Sequence, residues 1–380
     1  MNAADHDILN TLIQAATLGV SADNGQPWSF RWQDSQLLLA LDAARAKSFF
    51  DRKQFAAMFG LGSTLENLSI AAAHLGYDAH IELLPRGDSR VALPVARIRF
   101  ISGAPGPHPL YPELSRRATN RRPYDKTPVL AEVRASLAKA FSKAPSVRLI
   151  LTDSPERIRS VASLIAAADR IRFHFSSPDI HRDFFDCLRF TKHAAEESMD
   201  GLWVRCLEVK PPDLLALRLL AVWPIARVAR YLGTARLFAQ QTIALLRRTP
   251  LVALIIGTSE GLAPGTRTEI PTDNLFLTGG RLCQRLWLEA THHKLACQPM
   301  AVLPLFFAQH AVFGTEGFPN AAGLKVGKLK QEFSSLFGLG TNEHLLMILR
   351  LGYAPAPSAR SFRRPAAEVF TADDSPLISA

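Results

Sequence analysis

Three short stretches of this chain gather side chains able to hold a ligand. Residues 21–28 present Ser21, Asp23, Asn24 and Gln26 just ahead of Pro27 and Trp28. A hydroxyl, a carboxyl and two amides supply donors and acceptors in close order, and the Pro-Trp pair starts a strand. Residues 116–125 hold Arg116, Arg117, Arg121 and Arg122, four arginines in seven positions, with Thr119 among them. Guanidinium groups this close repel unless an anion sits between them, and the arginine fork suits bidentate contact with phosphate. In the tail, Arg363 and Arg364 can supply a second cationic contact to the same anion. Each stretch also has a plainer alternative: an Asx-turn loop with a core tryptophan, a solvated basic turn and a solvated tail. No Gly-x-Gly-x-x-Gly, P-loop or Gly-x-Ser-x-Gly string occurs. That argues against a Rossmann dinucleotide site, an NTPase and an α/β-hydrolase.

These groups need a frame, and one helical segment suggests its form. Residues 62–74 align without gaps against 280–292: Gly62/Gly280, Leu68/Leu286, Ala72/Ala290 and His74/His292 are identical, and Ile70 matches Leu288. Leu61, Leu65, Leu68, Ala72 and Leu75 are spaced by four, three, four and three, the pattern of a largely buried helix. A strand-like run follows each copy, at 95–101 and 345–351. Two half-molecules facing each other, with a site between them, would explain the repeat. The alternative is two unrelated core helices sharing Leu and Ala by composition. His74 and His292 are read as helix-packing residues, and no catalytic acid or base is assigned.

Along the first half, a helix is expected over 5–19 with Gly19 as its C-cap, then strands over 28–32 and 37–41 and the repeated helix over 55–75. Three prolines and two glycines in 102–109 mark a linker. The second half opens with helices near 111–118 and 128–141, a strand over 147–152 and a helix over 153–173. The 147–152 strand is set against 37–41, because each leads into an aspartate and a helical run. Residues 175–265 have no first-half counterpart, and between Arg205 and Arg248 they carry eight basic and two acidic residues. Their amphipathic pattern predicts a helical lid packed on the core, with a helix lying on a membrane surface as the less favoured alternative. The tail after Tyr353 reads as an extended arm. The expected parts are 1–104, then 105–174 with 266–380, and the insert 175–265.

Bulk properties set outer bounds. At 380 residues, 48% hydrophobic and 21% charged, the chain can bury about two domains or one duplicated domain. The net charge of +10 suits an anionic partner. The arginines are scattered and no zinc-finger or RNA-recognition signature appears, so nucleic acid is not expected as a partner. Cys187, Cys206, Cys283 and Cys297 lack metal or redox spacing and read as reduced thiols of a cytoplasmic protein, with no metal site. The polar start is unlike a signal peptide. Arg218, Pro224 and Arg227 break the apolar run 214–228, which falls short of the ~20 residues that span a bilayer.

Taken together, the strings at 21–28 and 117–124 resemble the nitroreductase superfamily of FMN-dependent enzymes. Ser21, Asn24, Gln26, Pro27 and Trp28 match its Ser-x-x-Asn-x-Gln-Pro-Trp loop. Arg117, Thr119 and Arg121 are similar to its Arg-x-Ser-x-Arg motif, with a threonine that keeps the hydroxyl. Gly352, Tyr353 and Pro355, followed by Arg363 and Arg364, resemble its closing strand and phosphate-binding basic residue. Order and length most resemble the double-length, Acg-type branch, in which two half-folds are fused and a lid covers the flavin.

The resemblance implies an α+β fold: a tandem, pseudo-dimeric nitroreductase-like architecture of antiparallel sheets and surrounding helices, plus a helical lid insert. It implies one FMN site per chain, with Ser21, Asn24 and Gln26 on one side and Arg117, Thr119 and Arg121 on the other. Arg363 or Arg364 would join the phosphate end, and Gln298, Pro299 and Met300 would run near the flavin ring. The implied activity is ping-pong transfer of hydride or electrons to a small organic acceptor, with NAD(P)H as candidate donor. A specialised FMN-dependent oxidase or dehydrogenase, a flavin-fragmenting enzyme and a non-catalytic FMN-sequestering protein remain as alternatives. The chain is expected as a monomeric pseudo-dimer or a homodimer.

Overall fold

The computed structural model describes residues 3–84, 94–104, 106–142, 144–174, 176–259 and 270–373. The first half runs α1 (Ala3–Thr17), β1 (Trp28–Gln33), β2 (Gln36–Leu41), α2 (Phe55–His74), β3 (Tyr77–Leu83) and β4 (Pro94–Ser102). The second opens with α3 (Tyr111–Arg116), α4 (Ala131–Lys139) and β5 (Val147–Thr152). A largely helical run follows: α5 (Pro155–Arg172), α6 (Pro178–Phe185), β6 (Leu188–Arg189), α7 (Lys192–Ser198), β7 (Leu202–Trp203), α8 (Pro211–Leu220), α9 (Trp223–Ala229) and α10 (Thr234–Leu246). The chain closes with β8 (Leu251–Thr258), α11 (Asp273–His292), β9 (Ala296–Pro299), α12 (Val302–Phe313), α13 (Ala322–Phe337), β10 (Glu343–Gly352), α14 (Ala366–Val369) and β11 (Phe370–Ala372).

The two main sheets have one topology. The first runs β11-β1-β2-β4-β3 and the second β5-β8-β10-β9. Apart from the added edge strand β11, each strand has a counterpart in the same place, and α11 follows β8 as α2 follows β2. Pairing within each set of four is antiparallel. The fold is α+β with duplicated halves. Not every ladder is antiparallel, because β11 joins β1 in parallel and β6 joins β7 in parallel.

This topology changes two expectations. Strand 147–152 is the counterpart of β1, not of 37–41, and β8 is the counterpart of β2. Asp34 and Ser35, at φ 50° and 58°, turn β1 into β2, the left-handed pair that favours a tight hairpin. In the second half the same connection holds α5 through α10. The bounds 175–265 therefore do not match the insert's topology. Its helices begin earlier, at Pro155, and β8 within those bounds is a central strand. Phe175 and Gly265 themselves lie outside the described residues. The tail, placed with the second half, returns through β11 to the first sheet.

The repeated helices make the central contact. A Cβ on Gly62 would lie 2.0 Å from the carbonyl oxygen of Leu277, and one on Gly280 would lie 1.9 Å from that of Phe59. In the register that equates Gly62 with Gly280, Phe59 is the equivalent of Leu277. The contact is therefore its own mirror, as two-fold symmetry demands. The same exchange holds one turn on, where Gln284 Nε2 donates to Asn67 Oδ1 at 2.7 Å and Arg285 pairs with Glu66. Buried residues form two clusters, divided by the second sheet. Leu251, Ala253 and Ile255 of β8 enter one, while Val252, Leu254 and Ile256 enter the other.

Candidate functional site

The loop after α1 is held in a costly conformation. Asp23, Asn24 and Gln26 all have positive φ, at 48°, 57° and 53°, a region disfavoured for residues with a Cβ and common at ligand sites. Ser21 Oγ accepts from the Gln26 N–H at 3.0 Å and ties the loop to itself. Asn24 Nδ2 donates to the carbonyls of Gly201 and Phe362, each at 3.0 Å, and its Oδ1 accepts from Arg363 Nη1 at 2.5 Å. Gln26 Nε2 donates to Met199 O at 2.8 Å, and its Oε1 accepts from the Arg364 N–H at 2.9 Å. The loop is thus capped by 199–201 from the insert and by 362–364 from the tail.

A cationic cluster lies beside this loop. Arg117 Nη2 donates to Leu18 O at 2.8 Å, and its guanidinium lies 4.8 Å from the centroid of the Trp287 ring. Arg363 Nη2 donates to the neighbouring carbonyl of Gly19 at 3.4 Å. Arg360 Nη2 donates to Arg117 O at 2.5 Å. Among the described residues none of these three makes an ion pair with a carboxylate. The Nε atoms of Arg117 and Arg363 are buried and lack a hydrogen-bond partner. Burial, with repulsion from Arg363 and Arg360, lowers the Arg117 guanidinium to about 9. Burial and Arg360 lower Arg363 to about 10. Both stay charged at neutral pH, so a buried cation and a half-buried one beside it stand with no counter-charge among the described residues.

The rest of the arginine motif rests on the second sheet. Thr119 forms a bridge with Cys297, and the Asn120 N–H donates to Cys297 O at 2.9 Å. Arg121 Nη1 donates to Cys206 O of the insert at 2.9 Å. Arg350 of β10, fully buried, organises the turn from below. It donates from Nε to Gln298 Oε1 at 2.6 Å and from Nη2 to Arg122 O at 2.8 Å, with its guanidinium 3.8 Å from the Tyr124 ring centroid.

Of the candidates read from sequence, the structure joins Ser21, Asn24, Gln26 and Arg363 in one network, with Arg117 at its edge. Thr119, Arg121 and Gln298 belong to the adjoining turn. Arg364 reaches the loop only through its backbone N–H, because its guanidinium pairs with Glu368 at 3.0 Å. Met300 packs in the second core, and among the described residues no hydrogen bond ties Pro299 to the network, so 298–300 approaches through Gln298. Sequence reasoning missed Arg360, Arg350 and 199–201. Arg350 had a visible signal, a charge inside the apolar run 345–351. Among the described residues no cluster of His, Cys, Asp or Glu could hold a metal ion.

No family model matches the chain. It is 29% identical over 359 residues to the uncharacterized protein MT1398 of Mycobacterium tuberculosis (strain CDC 1551 / Oshkosh), a match covering 92% of this chain and 46% of that protein. Over 79 residues it is 30% identical to the "Putative NAD(P)H nitroreductase acg" of the same strain, covering 21% of this chain and 24% of that one. The chain thus spans less than half the length of the curated relatives it matches. Among solved structures it is similar to the FMN-dependent nitroreductase NfnB from Mycobacterium smegmatis in complex with NADPH, at 19% identity and a TM-score of 0.37, covering 67% of this chain and 94% of that one.

Proposed function

We propose that this chain is an FMN-binding oxidoreductase of nitroreductase type, with one site built between its two halves. The observation that carries the reading is the uncompensated pair of buried Arg117 and half-buried Arg363, with Arg360 beside them. A phosphate monoester suits that cluster. It would supply the negative charge that these guanidinium groups lack. Arg117, Arg360 and Arg363 would hold the phosphate end. Ser21, Asn24, Gln26 and Thr119 would offer hydrogen bonds to the remainder. Bound FMN would supply the redox chemistry, taking reducing equivalents from a donor such as NAD(P)H and passing them to a small organic acceptor.

The protein's own part is to bind, orient and enclose. The strained loop fixes the amides of Asn24 and Gln26, and the insert covers them. The carbonyls of Met199 and Gly201 now occupy those amides. A ligand that uses them must displace 199–201, so binding and lid movement are one event in this reading. The test is an absorbance spectrum of the protein purified with added FMN, followed by anaerobic NADPH. A retained flavin spectrum that bleaches is the expected result. Absence of flavin after incubation overturns the reading.

A further inference from the structure

The insert has a second face that the candidate site does not use. Of the eleven large apolar side chains exposed among the described residues, eight lie between Leu215 and Leu237. Leu232 is 79% exposed, Tyr231 73% and Leu215 63%. Soluble proteins scatter such residues singly, and a run of them in one short segment marks a docking surface. The same segment is strongly basic. Residues 209–250 hold seven Lys and Arg against a single acid, Asp213. Arg218, Arg227, Arg236 and Arg247 are exposed, and among the described residues none of the seven pairs with a carboxylate.

The helices are two-sided. Leu217 and Leu220 of α8, Ala226 of α9 and Ala239 and Leu246 of α10 are buried against the body of the protein. The outward side is therefore not a core face left over by misassignment. It mixes arginine with leucine, valine and tyrosine, where an ordinary solvent face would be largely polar. Among the described residues no helix is long and apolar enough to cross a membrane, so these helices can lie along a bilayer but not through it.

We propose that α8, α9 and α10 form a peripheral docking face for an anionic lipid bilayer. Charge complementarity selects this occupant. Arginine forks bind lipid phosphates, and the leucines and tyrosine enter the boundary between headgroups and acyl chains. A second copy of the chain fits poorly, because a two-fold contact through this face would set seven cations against seven. The face carries both features that a membrane-surface segment needs, while its inner side packs as a lid does. The proposal does not depend on flavin binding.

The experiment is sedimentation of the full chain with sucrose-loaded vesicles, either pure phosphatidylcholine or a 7:3 mixture with phosphatidylglycerol. Binding to the anionic vesicles at least about tenfold tighter than to neutral ones, and falling steeply between 0.1 and 0.5 M salt, is expected, since surface charge is screened over about 10 Å at 0.1 M. Leu232→Glu and the pair Arg227→Glu with Arg236→Glu should each weaken it at least about tenfold. All three positions are exposed, so circular dichroism should be unchanged. No sedimentation, equal binding to neutral vesicles, or variants that bind as well as the parent overturns the proposal. So does a dimer in analytical ultracentrifugation that Leu232→Glu dissolves, which would assign the face to self-association.

Discussion

Two buried arginines in this chain do opposite things, and their surroundings tell them apart. Arg350 lies against the Tyr124 ring and donates to Gln298 Oε1 and to the carbonyls of Asn120 and Arg122. Arg117 donates to a single carbonyl, that of Leu18, and faces two other cations. Removing Arg350 strands the part-buried Gln298 Oε1 and Arg122 carbonyl, while the Asn120 carbonyl keeps the Tyr124 hydroxyl, and each stranded acceptor costs about 1–3 kcal/mol. Arg350→Met should therefore lower stability by about 2–4 kcal/mol in urea melts. Removing Arg117 relieves a buried charge that has the Trp287 ring and one carbonyl but no counter-ion, and a hydrophobic replacement of similar volume for buried charge is often neutral or stabilising. Arg117→Met should leave the melting temperature of the flavin-free protein unchanged or raised. Its FMN affinity should fall by about 1.5–3 kcal/mol, roughly ten- to a hundredfold, as for a lost charged hydrogen bond. Fluorimetric melting and flavin-fluorescence titration read the two quantities separately. A destabilised variant with normal affinity would make Arg117 a structural residue.

At the scale of elements, the crossing of α2 and α11 and the clamp at 199–201 carry the predictions. Gly280→Ala puts a methyl group into the backbone of Phe59, where the neighbour is a carbonyl that cannot swing aside. A loss of about 1–3 kcal/mol or more is expected by denaturant unfolding, and a neutral effect would mean the helices can part freely. The clamp depends on Asp200, which bridges Arg45 at 2.8 Å and Arg189 at 2.6 Å. Burial pushes its carboxyl up, but hydrogen bonds from Arg45 and Arg189 outweigh this and hold it below the ordinary aspartate range. A depressed carboxylate stabilises above its unfolded pKa of about 3.9 and loses that contribution as pH falls through the folded value. Protease nicking near residue 200 should thus be flat from pH 5 to 8 in the parent, by that reference value. Asp200→Asn should raise nicking across that whole range, and a parent that loosens near pH 6 would place the trigger elsewhere. The sequence made part of this scale visible. Gly62 and Gly280 announced the repeat because a close crossing needs glycine on both helices. Strand β8 stayed hidden because it is covered on both faces, so its run of Leu, Val, Ala and Ile shows no alternation and merges with the Leu- and Ala-rich insert. The loop at 21–28 and the arginine turn were legible as local strings. The cap on them was not, because 199–201 acts through main-chain carbonyls that no side chain reports.

At the scale of the whole molecule, the halves are tied in more places than the central helices. The tail leaves β10, gives the carbonyl of Pro355 to Asn120 Nδ2 at 2.8 Å, passes Arg360 and Arg363 along the cationic cluster and ends as β11 on the first sheet. The insert grips both sides, since Asp200 holds Arg45 of the first half while Glu208 pairs with Arg122 of the second at 3.4 Å. The first sheet loses its edge strand β11 once the second half unfolds, and each half loses its central helix contact and its share of the cationic cluster without the other. The chain should therefore melt as one cooperative unit despite its duplicated plan. Calorimetry should show a single transition whose van't Hoff and calorimetric enthalpies agree. A ligand seated between the halves should move that transition as a whole, by about 2.7 kcal/mol at a hundred times its dissociation constant. Two transitions, with FMN shifting only one, would mean that the halves are independent and that the site belongs to one of them. A single transition that FMN leaves in place would keep the interlocked fold and remove the ligand from the interface.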